Sequence, residues 1–264
     1  MTGKLQKAVK RLWKDAEGFV LPALFGILII AFWEKKVFHA LLGVKVLQLP
    51  IPSRITAVFL ENAHRMAPDS LATLNTALSG MILGSLAGFA VALIATMFPK
   101  WGAGALTLLS AMNAVPVVAL SPIMNVWFAD AESAKTAVVA IVCMVAMAAN
   151  AFRGMNDTKQ FALDLMKSYA GSKRQIFLKL RLPNSVPYVF TGLRINVAAA
   201  MIGAIVSEYF SPASKGLGYG IRNRLSTGQF PLGWAYIIAA SLIGIALYAA
   251  VAALERWATT HRQV

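Results

Sequence analysis

Residues 70–99 read SLATLNTALSGMILGSLAGFAVALIATMFP, with no Asp, Glu, Lys or Arg from end to end. A helix rising 1.5 Å per residue crosses the ~30 Å hydrocarbon layer in about 20 residues, so this stretch spans a membrane with length to spare. Two more charge-free stretches, residues 101–129 and 225–254, do the same. Shorter apolar candidates are residues 19–33, 136–152 and about 186–207, the last interrupted only by Arg194. In hydrocarbon every backbone N–H and C=O must be satisfied within the segment, which makes these runs helices. The expectation is an all-α polytopic transmembrane bundle of about six spans, or five if residues 19–33 do not cross. A hydrophobic content of 58% and a mean hydropathy of +0.64 agree with it. A cleaved signal peptide is the competing reading of residues 19–33, but Glu34, Lys35 and Lys36 follow Trp33 where a small-residue cleavage site would stand.

Within the opening stretch, Gly80, Gly84 and Gly88 form a GxxxGxxxG ridge that lets a neighbouring helix approach closely. Ala199 and Gly203, like Ala200 and Ala204, provide further small-xxx-small pairs.

The net charge of +14 would suit nucleic acid in a soluble protein, but the basic residues cluster by position. Lys4, Lys7, Lys10, Arg11 and Lys14 precede the first span, and Arg153, Lys159, Lys167, Lys173, Arg174, Lys179 and Arg181 lie between the fourth and fifth. Arg256 and Arg262 follow the last. With both termini cytoplasmic, all three clusters fall inside, as the positive-inside bias requires. Lys35, Lys36, Arg54, Arg65, Lys215, Arg222 and Arg224 stand against it. No basic cluster comes with stacking aromatics, so no nucleic-acid partner is expected; the surroundings are membrane lipid.

The remaining chemistry is sparse. Cys143 is the sole cysteine and lies in an apolar run, and His39, His64 and His261 are scattered, so no metal set is expected. The sequence contains no GxxxxGK[ST] phosphate cradle and no Ser/His/Asp or HExxH arrangement. Gly216-Leu217-Gly218-Tyr219-Gly220 follows a span and no strand, which argues against phosphate binding. No catalytic residue is expected, and no cofactor on this chain.

Two segments differ from the spans. Residues 49–68 turn polar and Pro-bearing, and read as an external interfacial helix capped by Ser53, with Ile55, Val58, Phe59 and Met66 on one face. Residues 154–183 have soluble-helix composition: Leu163, Met166, Ile176 and Leu180 stand among Asp164, Lys167, Lys173, Arg174, Lys179 and Arg181. A loop of that length between otherwise closely spaced spans is built to dock on something.

Residues 161–193, FALDLMKSYAGSKRQIFLKLRLPNSVPYVFTGL, resemble the cytoplasmic "EAA" loop of binding-protein-dependent ABC permeases. Registered on Leu182-Pro183, Asp164 takes the Glu position, Leu165 and Met166 the two Ala positions, Ala170 the Gly position and Leu180 the Ile position. Residues 116–122 with Trp127-Phe128, and residues 203–210 with 216–219, are similar to the sulfonate, nitrate and taurine permeases. Residues 182–193 look like the permeases for thiamine- and riboflavin-precursor pyrimidines. The resemblance covers residues 71–257. It departs in the shorter Asp164, the bulky Leu165 and Met166, and Ala170 in place of Gly.

What the resemblance implies is a permease subunit of an ATP-driven importer of a small polar solute. Its ATPase-coupling residues would be Asp164, Leu165, Met166, Tyr169, Ala170, Gly171 and Ser172, in a short helix over residues 164–172. Implied partners are two copies of an ABC ATPase, which holds the ATP and Mg, a second permease copy forming a homodimer, and a periplasmic or lipid-anchored solute-binding protein. The implied location is the prokaryotic inner membrane. The permease domain is residues 19–257, between a basic cytoplasmic segment (1–18) and a cytoplasmic tail (258–264).

Polar residues within spans are candidates for the solute route, because burial in lipid is costly. These are Asn113, Ser121 and Asn125 around Pro116 and Pro122, then Asn196, Ser207 and Glu208, the last read as an outer-end residue meeting the binding protein or a neighbouring loop. Arg194 reads as snorkelling to cytoplasmic headgroups. An ion-coupled secondary transporter or channel is the alternative function. The long spans lack the charged residues that ion coupling would need.

Overall fold

The computed structural model describes residues 20–212 and 215–259, with the side chains of Pro99, Trp101, Ala103, Ala105 and Asn113 outside the described set. The basic segment 1–18 and most of the tail, residues 260–264, also lie outside the described residues. Among the described residues the chain is helical, without strands.

Helix α1 covers Val20–Glu34 and α2 covers Val37–Leu42. Then come α3 (Pro52–Met97), α4 (Pro99–Ala111), α5 (Val117–Trp127) and α6 (Ala131–Asn156). They are followed by α7 (Gln160–Ser168), α8 (Lys173–Ile176), α9 (Leu182–Phe210), α10 (Leu217–Ser226) and α11 (Phe230–Thr259). Four helical stretches are long and apolar enough to cross a membrane: α3, α6, the 38-residue run Lys173–Phe210, and α11; α1 and α5 are shorter apolar helices.

Helix α6 is the central element, packed between α3 and α9. Lipid tails are as apolar as leucine, so close packing and hydrogen bonds hold such helices together rather than exclusion of water. The glycine ridge provides that closeness. Gly80 faces Val139 and the carbonyl of Thr136, Gly84 faces the backbone of Ala140, and Gly88 faces the carbonyl of Met144. The paired numbers rise together, so α3 and α6 run parallel. Gly203 approaches Val139 from the other side and Gly192 approaches Met147, so α9 runs antiparallel to α6. Ala77, Met81, Val139, Cys143, Val197, Ala200 and Ala204 fill the centre.

Three sequence expectations are corrected. Residues 52–68 form no separate interfacial helix; they are the start of α3, which runs unbroken for 46 residues with Pro68 inside it. At 1.5 Å per residue this helix is roughly 69 Å long, more than twice the hydrocarbon thickness. Its expected apolar face is present, for Ile55, Val58 and Met66 are buried, the last two against Leu217, Ile221 and Tyr236. The cap is not Ser53 but Ile51; the Ser53 N–H and hydroxyl both donate to the Glu34 carboxylate, at 3.0 and 2.6 Å, fastening α3 to the end of α1.

Second, the charge-free residues 101–129 are no continuous span. They divide into α4, a single 3-10 turn (Met112–Ala114) and α5. Pro116 disfavours the α conformation for the residue before it, and Val115 is accordingly extended (φ −75, ψ 120). Third, Arg194 does not snorkel alone: its guanidinium pairs with Glu255 of α11.

Candidate functional site

The loop between α6 and α9 is organised by its own chain chemistry. Helix α7 ends at Ser168, four residues before the expected boundary. Ala170 takes a left-handed conformation at φ 53, while the Ala170 N–H donates to Lys167 C=O (2.9 Å) and the Gly171 N–H to Met166 C=O (2.8 Å). These are the two bonds of a Schellman terminus. The left-handed residue of such an end is usually Gly, because a Cβ there costs about 1–2 kcal/mol. The helix expected over 164–172 therefore ends at Ser168, the chain turns at the left-handed Ala170, and a second helix begins only at Lys173. Ser172 then opens α8 through a capping box with Gln175.

Helix α7 buries none of its residues. Phe161, Leu165 and Tyr169 recur every fourth residue on one face and are 79%, 46% and 82% exposed. Phe161 was absent from the sequence candidates, although the same helical spacing, carried one turn towards the N-terminus, reaches it. Asp164 accepts hydrogen bonds from Gln160 (3.1 and 3.2 Å) and lies 3.7 Å from Lys167, both partners of that pair being exposed. Exposed pairs of this kind contribute only about 0–1 kcal/mol, so Asp164 stays free to exchange partners.

The base of the loop is clamped. Asn184 donates to the carbonyls of Gly154 (2.8 Å) and Asp157 (2.9 Å). The Tyr188 hydroxyl donates to the Asp157 carboxylate, and the Arg181 guanidinium to Asn156 (3.0 Å). Between α8 and α9, Phe177–Arg181 form a π-helical turn. Pro183, just beyond it, has no N–H to offer a preceding carbonyl, which favours such a local adjustment.

The polar candidates within the bundle lie elsewhere. Asn196 is buried, and its amide bridges Ser85 (2.9 Å) and Cys143 C=O (3.0 Å). The buried Ser121 hydroxyl donates to Ser207 C=O (3.3 Å), and the Ser207 hydroxyl to Ala204 C=O (2.9 Å). Asn125 is half-buried on α5, and the Asn113 side chain lies outside the described residues. Asn196, Ser121 and Ser207 thus tie helices of one subunit together. Of the packing candidates, Gly80, Gly84, Gly88 and Gly203 sit against α6, and Ala199 packs beside the central cluster.

Residues 80–260 match the family of binding-protein-dependent transport system inner membrane components. The chain belongs to this family. It is 31% identical to the formylaminopyrimidine transport permease protein ThiX of Halalkalibacterium halodurans, over 89% of this chain and 92% of that one. It is 30% identical to a probable ABC transporter permease protein of Haemophilus influenzae, over 75% and 81% of the two chains. A putative aliphatic sulfonates transport permease protein of Bacillus subtilis is 26% identical over 91% and 85%. The protein is thus a multi-pass permease subunit of an ABC importer, and not itself the enzyme.

At the end of this permease opposite the loop, α10 is fastened by a buried polar knot. The Gly216 N–H donates to Asp69 (3.1 Å), the Leu217 N–H to the Thr73 hydroxyl (2.8 Å) and the Gly218 N–H to Glu208 (2.9 Å). Thr73 donates in turn to Glu208 at 2.8 Å, and the Tyr236 hydroxyl to Asp69 at 3.1 Å. Glu208 is fully buried, so of its two expected partners the structure has the neighbouring loop. The N–H groups of Gly216, Leu217 and Gly218 are thus spent on the permease's own side chains rather than on a phosphate.

Proposed function

We propose that the permease receives the work of ATP hydrolysis through α7, docked on a separate ABC ATPase subunit that holds the ATP and Mg. The observation that carries this is the exposed Phe161, Leu165 and Tyr169 face, with Asp164 beside it, on a helix that buries nothing in its own chain. Clamping the loop through Asn184, Tyr188 and Arg181 lets a displacement of α7 pass to α6 and α9 rather than dissipate in a slack linker. Burial of one large apolar side chain is worth about 1.5–3 kcal/mol, so this face is sufficient for specific docking.

The basic clusters around the loop and the ends of the chain support cytoplasmic termini, with α10 and the knot outside, facing a solute-binding protein. One copy offers a single docking loop, and its Asn196, Ser121 and Ser207 bond within that copy, so the route is completed by a second copy in a homodimer with two ATPase subunits. The cargo is a small polar solute of the kind named for the relatives, formylaminopyrimidine and sulfonates among them.

The test is to reverse Asp164→Lys together with Ala170→Trp in the full chain. Insertion and dimerisation should persist while transport and solute-stimulated ATP hydrolysis fall together. Survival of both activities would remove α7 from the coupling role.

A further inference from the structure

Asn196, Ser121 and Ser207 bond inside one subunit, which leaves open where a solute meets the protein. A different set is exposed. On α3, Asn75 is exposed and Ser79 half-exposed; on α6, Glu132 and Ser133 are exposed and Thr136 half-exposed. The Ser79 and Thr136 hydroxyls lie 3.4 Å apart. Asn75 and Glu132 each stand one turn further towards the α10 end of their parallel helices. Leu83, Phe128, Glu132, Ser133, Thr136 and Ala140 line a groove here of about 370 Å³.

A lone Ser or Thr can face lipid by bonding back to its own helix, as Ser79 does to Asn75 C=O at 2.7 Å. An amide bonded back in this way still leaves its other N–H and its oxygen unpaired, and an ionised carboxylate has no donor to offer a carbonyl, so exposing the two to hydrocarbon is costly. This strip therefore faces water or a polar solute.

Its charge is informative. The Glu132 side chain is 57% exposed, whereas the Lys135 side chain that pairs with it at 2.7 Å is 1% exposed. Asp130, also exposed, caps α6 by accepting the Ser133 N–H at 2.8 Å, and that bond holds its carboxyl below the usual range, so it stays charged. Two carboxylates thus stand against one buried ammonium and the partial positive end of α6. The accessible charge is negative.

We propose that this α3–α6 groove is a wetted segment of the solute route and admits uncharged or cationic hydrogen-bonding solutes while disfavouring anions. The assignment rests on the permease reading and narrows it. Sulfonate or nitrate would meet Glu132 in the groove and Asp130 at the nearby end of α6, whereas an uncharged heterocycle would find the Ser133 and Thr136 hydroxyls, with Ser79 beside Thr136.

The test uses the full-length chain in membrane fragments open to both faces, with single cysteines at Ser79 or Thr136. Cys143 is buried and serves as the blank. Labelling is compared for two methanethiosulfonates, one carrying a quaternary ammonium and one a sulfonate, each normalised to its rate with 2-mercaptoethanol. Both cysteines should label, with a normalised preference of about fivefold for the cationic reagent, the effect of one unit charge about 8 Å away in water, felt with opposite sign by the two reagents. Glu132→Gln should shrink that preference. Ile202→Cys and Ile245→Cys, exposed on apolar faces elsewhere, should stay unlabelled. Unlabelled cysteines at both Ser79 and Thr136 would place the strip in lipid and overturn the proposal, and an absent or anionic preference would overturn the solute class. Co-purification of the ATPase is scored on the same membranes, so a chain that retains its ATPase but fails to label refutes the groove alone.

Discussion

Gly84→Ala inserts one methyl group where α3 meets the backbone of α6. A Cβ built there lies 2.9 Å from the carbonyl carbon and Cα of Ala140, and nearer still to its carbonyl oxygen. Ordinary contact begins near 3.4 Å, and the obstacle is backbone, which cannot rotate away as a side chain can. The helices must part by roughly half an ångström or more, which forfeits about a quarter to a half of the attraction between facing atoms. With on the order of 30 atom pairs at 0.1–0.2 kcal/mol each, the loss is about 1–3 kcal/mol, in the range of overpacked cores. That corresponds to a melting point lower by roughly 2–6 °C for a chain of this size. Cys143 is the reporter, because it is the sole cysteine of the sequence and is buried beside this interface. A thiol-reactive fluorophore should light up at the lower temperature in Gly84→Ala. Gly26→Ala, with nothing within 4 Å of the added methyl, should not shift it. Equal melting of Gly84→Ala and the parent chain would refute the close-packed ridge.

In intact cells, a cysteine at Ser133 should react with a membrane-impermeant thiol reagent while one at Thr158 resists, and the reverse pattern would invert the orientation. Ala170→Gly removes a left-handed Cβ worth about 1–2 kcal/mol but frees the unfolded chain by about 0.4–1 kcal/mol. The net gain should slow hydrogen exchange at the amides of residues 170 and 171 by about two- to fivefold, and faster exchange would contradict the assigned terminus. Glu208→Ala strands the Gly218 N–H, at about 1–3 kcal/mol, while the Thr73 hydroxyl falls back on Asp69 C=O at 3.1 Å. It should lower the Cys143-reported melting point clearly more than Glu208→Gln, which keeps an acceptor; equal losses would mean that the knot does not hold α10.

The apolar stretches, the glycine ridge and the short exposed helix of the α6–α9 loop were legible because each depends on a local pattern: uninterrupted apolarity, a four-residue glycine period, or soluble composition between spans. The 46-residue α3 was not, because Pro68 and the polar residues around it read as a boundary. Pro68 is exposed, so the carbonyl that its missing N–H leaves unbonded is not sealed in the core, and the helix continues. The break at Val115 was legible from Pro116, but uniform apolarity outweighed it. Long-range pairings were the least visible. Nothing near Glu208 announces the N–H of Gly218 or the hydroxyl of Thr73, and nothing near Arg194 announces Glu255. Ala170 is the instructive intermediate: the family pattern marked it as a glycine position, and the left-handed backbone supplies the physical reason.

The most direct test of the coupling account is recovery of the ATPase on this chain. The tagged full-length permease, gently solubilised from its own host's membranes, should bring down a GxxxxGK[ST]-bearing subunit in a one-to-one ratio by native mass spectrometry. Leu165→Ala with Met166→Ala should weaken that recovery, because the apolar contacts of α7 are lost. Recovery of no such subunit, or full recovery with Asp164→Lys and Ala170→Trp in place, would contradict the account.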